Sequence, residues 1–189
     1  MSLDLSDLSD GELAALSRAR NHAAFAELLR RHREPIYRII LGNIGVTDEA
    51  LDLVQETFIS AHAALARYDP ARPMRAWLST IALNKCRDWS RRRAVRRLIA
   101  FAVPIDRATE NVAENRPGHD VVAEDRDTLA RAAQAIADLP PQLREVLVLR
   151  TMEEMSQADA AATLGITPKA VETRLRRARV KLAQRLTRD

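Results

Sequence analysis

Apolar side chains recur every three or four residues along most of the chain, the spacing that places them on one face of an α-helix. The clearest runs lie at 25–40, 51–65 and 77–89 in the first half, and at 171–182 near the C-terminus. Pro35 interrupts the first run and predicts either a kink or two abutting helices. No segment has the pattern of a convincing strand. The sequence therefore predicts an all-α protein.

Turn-forming residues separate these helices. Gly42 and Gly45 are expected to permit a turn, and Thr47 is then predicted to cap the next helix with its side-chain oxygen. The segment 69–73 contains Pro70 and Pro73, which lack an amide hydrogen and restrict the residues that precede them. This segment is predicted to be a rigid loop between two helices.

The C-terminal part of the chain predicts a helix-turn-helix motif. A short helix rich in small residues is expected over 157–164, followed by Gly165 at a position that favours left-handed backbone. Thr167 offers an N-cap oxygen, and Pro168 suits the first position of a helix. The helix that follows carries eight basic residues and one acid between positions 169 and 188. A short glycine turn leading into a basic helix is typical of DNA-binding proteins.

Charge and turn residues divide the chain into segments. Residues 1–22 are expected to be a tail or a short helix, and residues 23–103 a first helical domain. Residues 104–127 are expected to be a flexible acidic linker, with 3 Lys and Arg against 7 Asp and Glu. Residues 128–189 form the helix-turn-helix domain. The net charge of +4 thus conceals two basic domains joined by an acidic segment, which favours nucleic acid as a partner.

Composition argues against several other classes of protein. The chain contains only 5 glycines and 7 aromatic residues. So few glycines argue against the glycine-rich phosphate loops of many nucleotide enzymes. Cys86 is the single cysteine, and the four histidines do not cluster with acids at metal-ligand spacing. We therefore expect no enzyme activity, cofactor or metal. The acidic N-terminus is unlike a signal peptide, and no apolar run is long enough to span a membrane, so the expected location is the cytoplasm.

Three motifs taken together resemble the bacterial RNA polymerase sigma factors of the extracytoplasmic-function class. They are Asp52-Leu53-Val54-Gln55-Glu56-Thr57-Phe58, Arg75-Ala76-Trp77-Leu78-Ser79-Thr80-Ile81-Ala82-Leu83-Asn84, and Leu139-Pro140-Pro141-Gln142-Leu143-Arg144-Glu145-Val146. The resemblance implies that 23–103 is a region 2 domain, which binds core polymerase and opens the minus-ten promoter element. It also implies that 128–189 is a region 4 domain, which reads the minus-thirty-five element. A dedicated anti-sigma protein is a further implied partner.

The resemblance also implies three sets of site residues. The polymerase-binding set is Asp52, Gln55 and Glu56. The minus-ten set is Arg72, Arg75, Trp77, Asn84, Lys85, Arg91 and Arg92. The minus-thirty-five set is Lys169, Glu172, Thr173, Arg174, Arg176, Arg177 and Lys181, of which Lys169, Glu172, Thr173 and Arg176 are the candidates for base edges.

Several alternatives remain open at the level of sequence. Trp77 and Trp89 are suitable stacking platforms for bases, but tryptophans at helical spacing are more often core residues. The acidic linker is either a ligand for a basic channel near the RNA path or a simple tether. The whole chain could instead be a dimeric helix-turn-helix repressor or activator, or a sigma-like decoy that binds an anti-sigma protein.

Overall fold

The computed structural model describes residues 4–102 and 131–187, and within these two ranges it contains helices and turns but no strand. The first range holds 3₁₀ turns at Leu5–Asp7 and Leu65–Arg67 and the helices α1 (Asp10–Arg18), α2 (His22–Ile44), α3 (Thr47–Ala64) and α4 (Met74–Ala102). The second range holds α5 (residues 131–137), α6 (Pro141–Leu147), a π-helical turn (Val148–Met152), α7 (Gln157–Leu164) and α8 (Pro168–Leu186). The predicted all-α architecture is confirmed. The linker expected over 104–127 lies outside the described residues.

The helix α2 is the centre of the first domain, because α1, α3 and α4 all pack against it. Its buried face includes Leu28, Ile36 and Ile39, which are at most 2% exposed. Phe58 from α3 and Leu83 from α4 belong to the same buried cluster. The apolar spacing read from the sequence thus corresponds to the inward face of each helix.

Two local expectations in this domain need correction. The chain continues through Pro35 as one helix, so α2 is not a pair of abutting helices. Thr47 is not the N-cap of α3: it is the first helical residue, and Val46 occupies the cap position without a side-chain hydrogen bond. The physical reason is the tight end of α2, where Gly45 adopts left-handed backbone at φ 70° and leaves only one residue before α3 begins.

The N-terminal segment is an ordered helix rather than a tail. Ser9 and Glu12 form a capping box at the start of α1, in which each side chain accepts the backbone amide of the other residue. Leu13 on the next turn is fully buried in the main core. The Asp10 carboxylate lies 2.8 Å from Nε2 of His32 on α2. Of the two alternatives given for this segment, residues 4–22 contain the short helix.

Arg31 on α2 fastens this segment to the bundle. Its guanidinium donates hydrogen bonds to the backbone carbonyls of Leu5 (3.1 Å), Ser6 (2.8 Å) and Leu8 (2.7 Å). It also donates to Asp10 Oδ1 at 3.2 Å. Charged donors make stronger hydrogen bonds than neutral ones, so a single side chain holds several otherwise unpaired carbonyls in place.

The second domain contains the predicted helix-turn-helix. Gly165 ends α7 in left-handed backbone at φ 65°, and Thr167 Oγ1 accepts the amide of Ala170 at 3.2 Å to cap α8. Pro168 occupies the first position of α8. These features are confirmed. Before the motif, α6 ends at Leu147 and passes into the π-helical turn.

The two domains pack against one another instead of lying apart. Val148 and Leu149 of the second domain are fully buried in a cluster that also contains Ile39 and Ile40 of α2. At Gly42 the approach is so close that an added Cβ would lie 3.0 Å from Val148 Cγ2 and 3.2 Å from Met152 Sδ. We call this arrangement the closed form of the chain.

The anchoring of the N-terminal segment yields a testable prediction. Replacement Arg31→Ala removes four hydrogen bonds between α2 and residues 5–10, so we expect it to lower the free energy of unfolding by about 2 kcal/mol. Urea denaturation measures this loss. Arg30→Ala is the matched control, because Arg30 is exposed and pairs with the same Glu27 but makes no contact with the N-terminal segment. Equal unfolding midpoints for the two variants would contradict the anchoring role.

Candidate polymerase and promoter interface

The predicted polymerase-binding residues lie on the outer face of α3. Asp52 and Gln55 are exposed, and Glu56 is half-buried because its carboxylate pairs with Lys85 Nζ at 3.3 Å. Lys85 belongs to the predicted minus-ten set on α4. The structure therefore brings one member of each set into direct contact, and the two surfaces adjoin along the α3–α4 seam.

The loop before α4 is held by hydrogen bonds of its own residues. Tyr68 is buried and its hydroxyl donates to the Arg72 carbonyl at 2.9 Å. The Asp69 side chain accepts the amide of Ala71 at 3.0 Å, which fixes the turn. The Tyr68 and Trp77 rings lie 5.3 Å apart, so Trp77 is half-buried against the loop. Arg72 itself is exposed at the tip.

A cavity of about 550 Å³ lies between this loop and the N-terminal segment. Residues 9–12 form one wall and residues 70–74 the other. The N-terminal wall was missed by sequence reasoning, although the serine and glutamate of the capping box at positions 9 and 12 were a signal for an ordered helix start. The cavity combines apolar proline rings with carboxylate and hydroxyl oxygens.

The remaining minus-ten candidates are spread along α4. Asn84 is exposed, and its Oδ1 accepts from Arg87 at 3.1 Å. Arg91 and Arg92 are exposed two turns further on, where Arg91 pairs with Asp88. The helix thus presents its polar candidates over about 25 Å, at 1.5 Å per residue, rather than at one point.

Trp89 is a core residue rather than a stacking platform. Trp89 is only 7% exposed, and its Nε1 donates a hydrogen bond to Glu49 Oε2 at 2.7 Å. The Arg93 guanidinium lies 5.0 Å from the ring centroid and covers it from outside. A base could reach this ring only if those contacts were broken.

The helix α8 packs against α6 and α7 through a narrow apolar face, on which Val171 and Ala178 are buried. The predicted minus-thirty-five residues are exposed or half-buried around the rest of its surface: Lys169, Glu172, Thr173, Arg174, Arg176, Arg177 and Lys181. The closed form leaves this basic surface uncovered by the first domain.

Two ion-paired clusters join the domains, and no part of this was predicted from sequence. The Glu153 carboxylate, whose side chain is 0% exposed, accepts from Arg38 Nε at 2.7 Å and also pairs with Arg75. On the other side of the interface, Arg87 and Glu145 form a bidentate pair with both distances at 2.8 Å. These carboxylates raise the pKa values of Arg38 and Arg87 by accepting their hydrogen bonds.

Cys86 lies close to the second of these clusters. Burial raises the pKa of its thiol to about 12, and the nearby negative charge of Glu145 adds to the effect. Burial also lowers the pKa of the neighbouring Arg144 guanidinium. Across the described ranges, no group of three or more His, Cys, Asp and Glu residues is arranged to hold a metal ion.

Comparison with known proteins decides the family. The family model described as Sigma-70 region 2 matches residues 28–96, and that described as Sigma-70 region 4 matches residues 129–182. The RNA polymerase sigma factor CnrH of Cupriavidus metallidurans is 40% identical over 184 residues, which cover 96% of each chain. This chain belongs to the RNA polymerase sigma factors. The extracytoplasmic-function factor SigM of Mycobacterium tuberculosis is 33% identical over 94% of this chain and 85% of its own length.

Solved structures of sigma factors show the same architecture. The structure of CnrH in complex with the cytosolic domain of CnrY has a TM-score of 0.70, with 36% identity over 95% of this chain and 98% of that chain. The structure of RpoE with the anti-sigma factor NepR from Bartonella quintana has a TM-score of 0.67, with 25% identity over 87% and 98%. Within residues 4–102 and 131–187 of the present chain, none of the helices is long and apolar enough to span a membrane.

The single thiol of this sigma factor provides a test of the closed form. At pH 8 a thiol with a pKa of about 12 carries about a thousandth of the thiolate of an ordinary cysteine, so we expect labelling by a thiol reagent to be slower by a similar factor. Stopped-flow absorbance measures the rate, and the same chain in urea is the control. Native labelling at the rate of the unfolded chain would show that Cys86 is not shielded.

Proposed function

We propose that this chain binds core RNA polymerase and directs promoter-specific initiation of transcription. The observation that carries the proposal is the pairing, in one chain of the sigma family, of an exposed basic recognition helix with a second domain that presents a rigid loop and cavity. Each module can bind its promoter element weakly while the linked pair is selective, because binding of the first module raises the effective concentration of the second at its own element.

The helix α8 is the proposed reader of the minus-thirty-five element. Its N-terminal turns would enter the major groove, as in other helix-turn-helix proteins. Lys169, Glu172, Thr173 and Arg176 are the proposed contacts to base edges, since they share one side of the helix. Arg174, Arg177 and Lys181 are the proposed contacts to phosphates, which position the helix without reading sequence.

The first domain is the proposed minus-ten module. Melting a promoter requires that a base leaves the stack and is held elsewhere, and a rigid loop beside a cavity suits that task. Arg72 at the loop tip is placed to meet phosphate, and Trp77 supports the loop from below. The other proposed contacts to separated strands follow along α4: Arg75, Asn84, Lys85, Arg91 and Arg92.

Core polymerase is the proposed partner of the α3 surface formed by Asp52, Gln55 and Glu56. An acidic helix face of this kind is complementary to a basic helix on a partner protein. The chemistry of RNA synthesis then belongs to the polymerase, so no enzyme activity is assigned to this chain. The proposed location follows that of the polymerase and is cytoplasmic.

An anti-sigma protein is a second proposed partner, since CnrH and RpoE were each solved in complex with another protein. A groove of about 540 Å³ between α2 and α3 suits the apolar face of a helix. Phe25, Leu29, Val54 and Phe58 line it, and Ile59 at its edge is 70% exposed. The groove also includes Gln55, so an occupant would compete with polymerase.

Reconstituted transcription tests the proposed function. Core polymerase supplemented with the purified chain should produce discrete transcripts from a library of genomic promoters, whereas core polymerase alone should not. The combined variant with Asp52→Arg and Gln55→Arg should lose this activity because it reverses the charge of the proposed polymerase surface. A dimeric repressor or activator would instead bind palindromic duplex DNA alone, and a decoy would bind an inhibitor but give no transcripts.

The proposed roles within α8 make a separate prediction. Arg176→Ala should cost about 1–3 kcal/mol and relax selectivity at one base pair, since it removes a base contact. Arg177→Ala, a neighbouring arginine on the same helix, should weaken binding to all sequences equally and lower the salt dependence by about one phosphate contact. Binding of holoenzyme to promoter fragments of varied sequence, at several salt concentrations, distinguishes the two. Identical effects of both variants on selectivity would contradict the assignment.

A further inference from the structure

An anion is already bound by two arginines at the start of the proposed minus-ten helix. The anion is the Glu153 carboxylate, which Arg38 contacts through Nε at 2.7 Å and Nη2 at 3.2 Å. Arg75 contacts the same carboxylate and also donates from Nη2 to the Glu153 carbonyl at 2.6 Å. Glu153 therefore contributes both a charged and a backbone acceptor to one cradle. We call Arg38 and Arg75 the arginine cradle.

The cradle has the chemistry of a phosphate-binding site. Guanidinium groups bind carboxylate and phosphate in the same planar, multidentate way, so a group that binds one suits the other. Arg38 and Arg75 remain 42% and 36% exposed even though the carboxylate between them is fully buried. Arg75 Nε is buried without an acceptor among the described residues, so Glu153 does not use all the donors of the cradle.

The position of the cradle relates it to DNA. Arg75 is the second residue of α4 and follows directly in sequence after residues 70–74, which line the cavity. A nucleotide whose base occupied that cavity would carry its phosphates past the start of α4. Neither Arg38 nor any other part of α2 was among the residues assigned to DNA from the sequence.

We propose that the arginine cradle binds a backbone phosphate of single-stranded promoter DNA, and that Glu153 occupies this site in the closed form as an internal competitor. The inference rests on the proposed function. Region 4 then has two tasks, since α8 reads duplex DNA while the residue after the π-helical turn blocks a phosphate site on region 2.

The geometry of promoter binding requires that this blockade be released. Two promoter elements two helical turns apart are separated by about 70 Å, whereas the domains of the closed form are in direct contact. A linker of 24 residues can extend to about 80 Å, so the chain is long enough to open. When the domains separate, Glu153 leaves with region 4 and the cradle becomes free for phosphate.

The exchange is electrostatically balanced, which makes it reversible. Two arginines lose one anion and gain another, so the cradle is not left as a pair of unpaired charges. The freed Glu153 carboxylate is hydrated once it leaves the interface. A modest additional contact with polymerase or DNA is then sufficient to shift the population from closed to open.

The full-length chain with a matched pair of variants tests this proposal. The probe is a fluorescein-labelled dT12 oligonucleotide, since phosphate contacts do not depend on base sequence. Glu153→Gln removes the competitor, whereas Asp138→Asn removes a carboxylate that pairs with Arg185 inside region 4 and leaves both interdomain clusters in place. Both variants change the net charge equally. We expect Glu153→Gln to bind dT12 at least about tenfold more tightly than wild type by fluorescence anisotropy, and Asp138→Asn to stay within about threefold.

Two further results are required. Arg38→Ala and Arg75→Ala, each added to Glu153→Gln, should abolish the gain and reduce its salt dependence. Gly42→Ala places a methyl group 3.0 Å from Val148 Cγ2 and crowds the contact between the domains without a change of charge, so it should also raise the affinity. The Gly42 variant serves if Glu153→Gln fails to fold, which circular dichroism would reveal. Equal gains for Glu153→Gln and Asp138→Asn, or no gain for a folded Glu153→Gln or Gly42→Ala, would overturn the proposal.

Transcription with core polymerase separates this proposal from the proposed function. Specific transcripts from wild type, combined with unchanged dT12 binding by Glu153→Gln, would leave the sigma activity in place and disprove the phosphate site. No transcripts from any variant would disprove the proposed function whatever the oligonucleotide binding. Specific transcripts together with the tenfold gain and its loss in the arginine variants would support both.

Discussion

The packing of α2 is the constraint on which the rest of the structure depends. This one helix holds the N-terminal segment through Arg31, the core of region 2 through its isoleucines, and region 4 through the close contact at Gly42. The helix therefore buries apolar surface in two domains at once. Because a helix transmits position along its whole length, the loop, the cavity and the interdomain cluster are fixed relative to one another. Arg38, on the same helix, forms an ion pair with the Glu153 carboxylate of region 4.

Much of the fold could be predicted because it depends on local rules. The turn at Gly165, the cap at Thr167 and the apolar faces of α2, α3 and α8 follow from helix periodicity and end signals. The predicted cap at Thr47 was wrong by one residue: α2 continues through Gly42 and ends at Gly45, which leaves Val46 at the cap position. The ordered N-terminal segment depends on Arg31 reaching carbonyls 23 to 26 residues earlier, and no local pattern reports such a contact.

The candidate site was predictable by residue type but not by arrangement. Basic residues on α4 and α8 can be read directly as DNA contacts, yet the pairing of Arg75 with Glu153 joins positions 78 residues apart. Glu145 and Glu153 look like ordinary surface acids in the sequence, and both are buried. Charge that appears solvated in one domain is in fact paired with the other, so segment-by-segment charge counts overstate how much basic surface is free in the closed form.

The pair formed by Arg87 and Glu145 allows the strength of the contact between the domains to vary without a change in the residues proposed to read DNA. Neither residue is among the proposed contacts to base edges, yet their bidentate pair bears on how tightly the domains hold together. Substitutions at this pair would change the strength of the contact between the domains, while the proposed base contacts on α8 would stay the same. The ease with which the domains separate and the choice of promoter can thus change independently of one another in evolution.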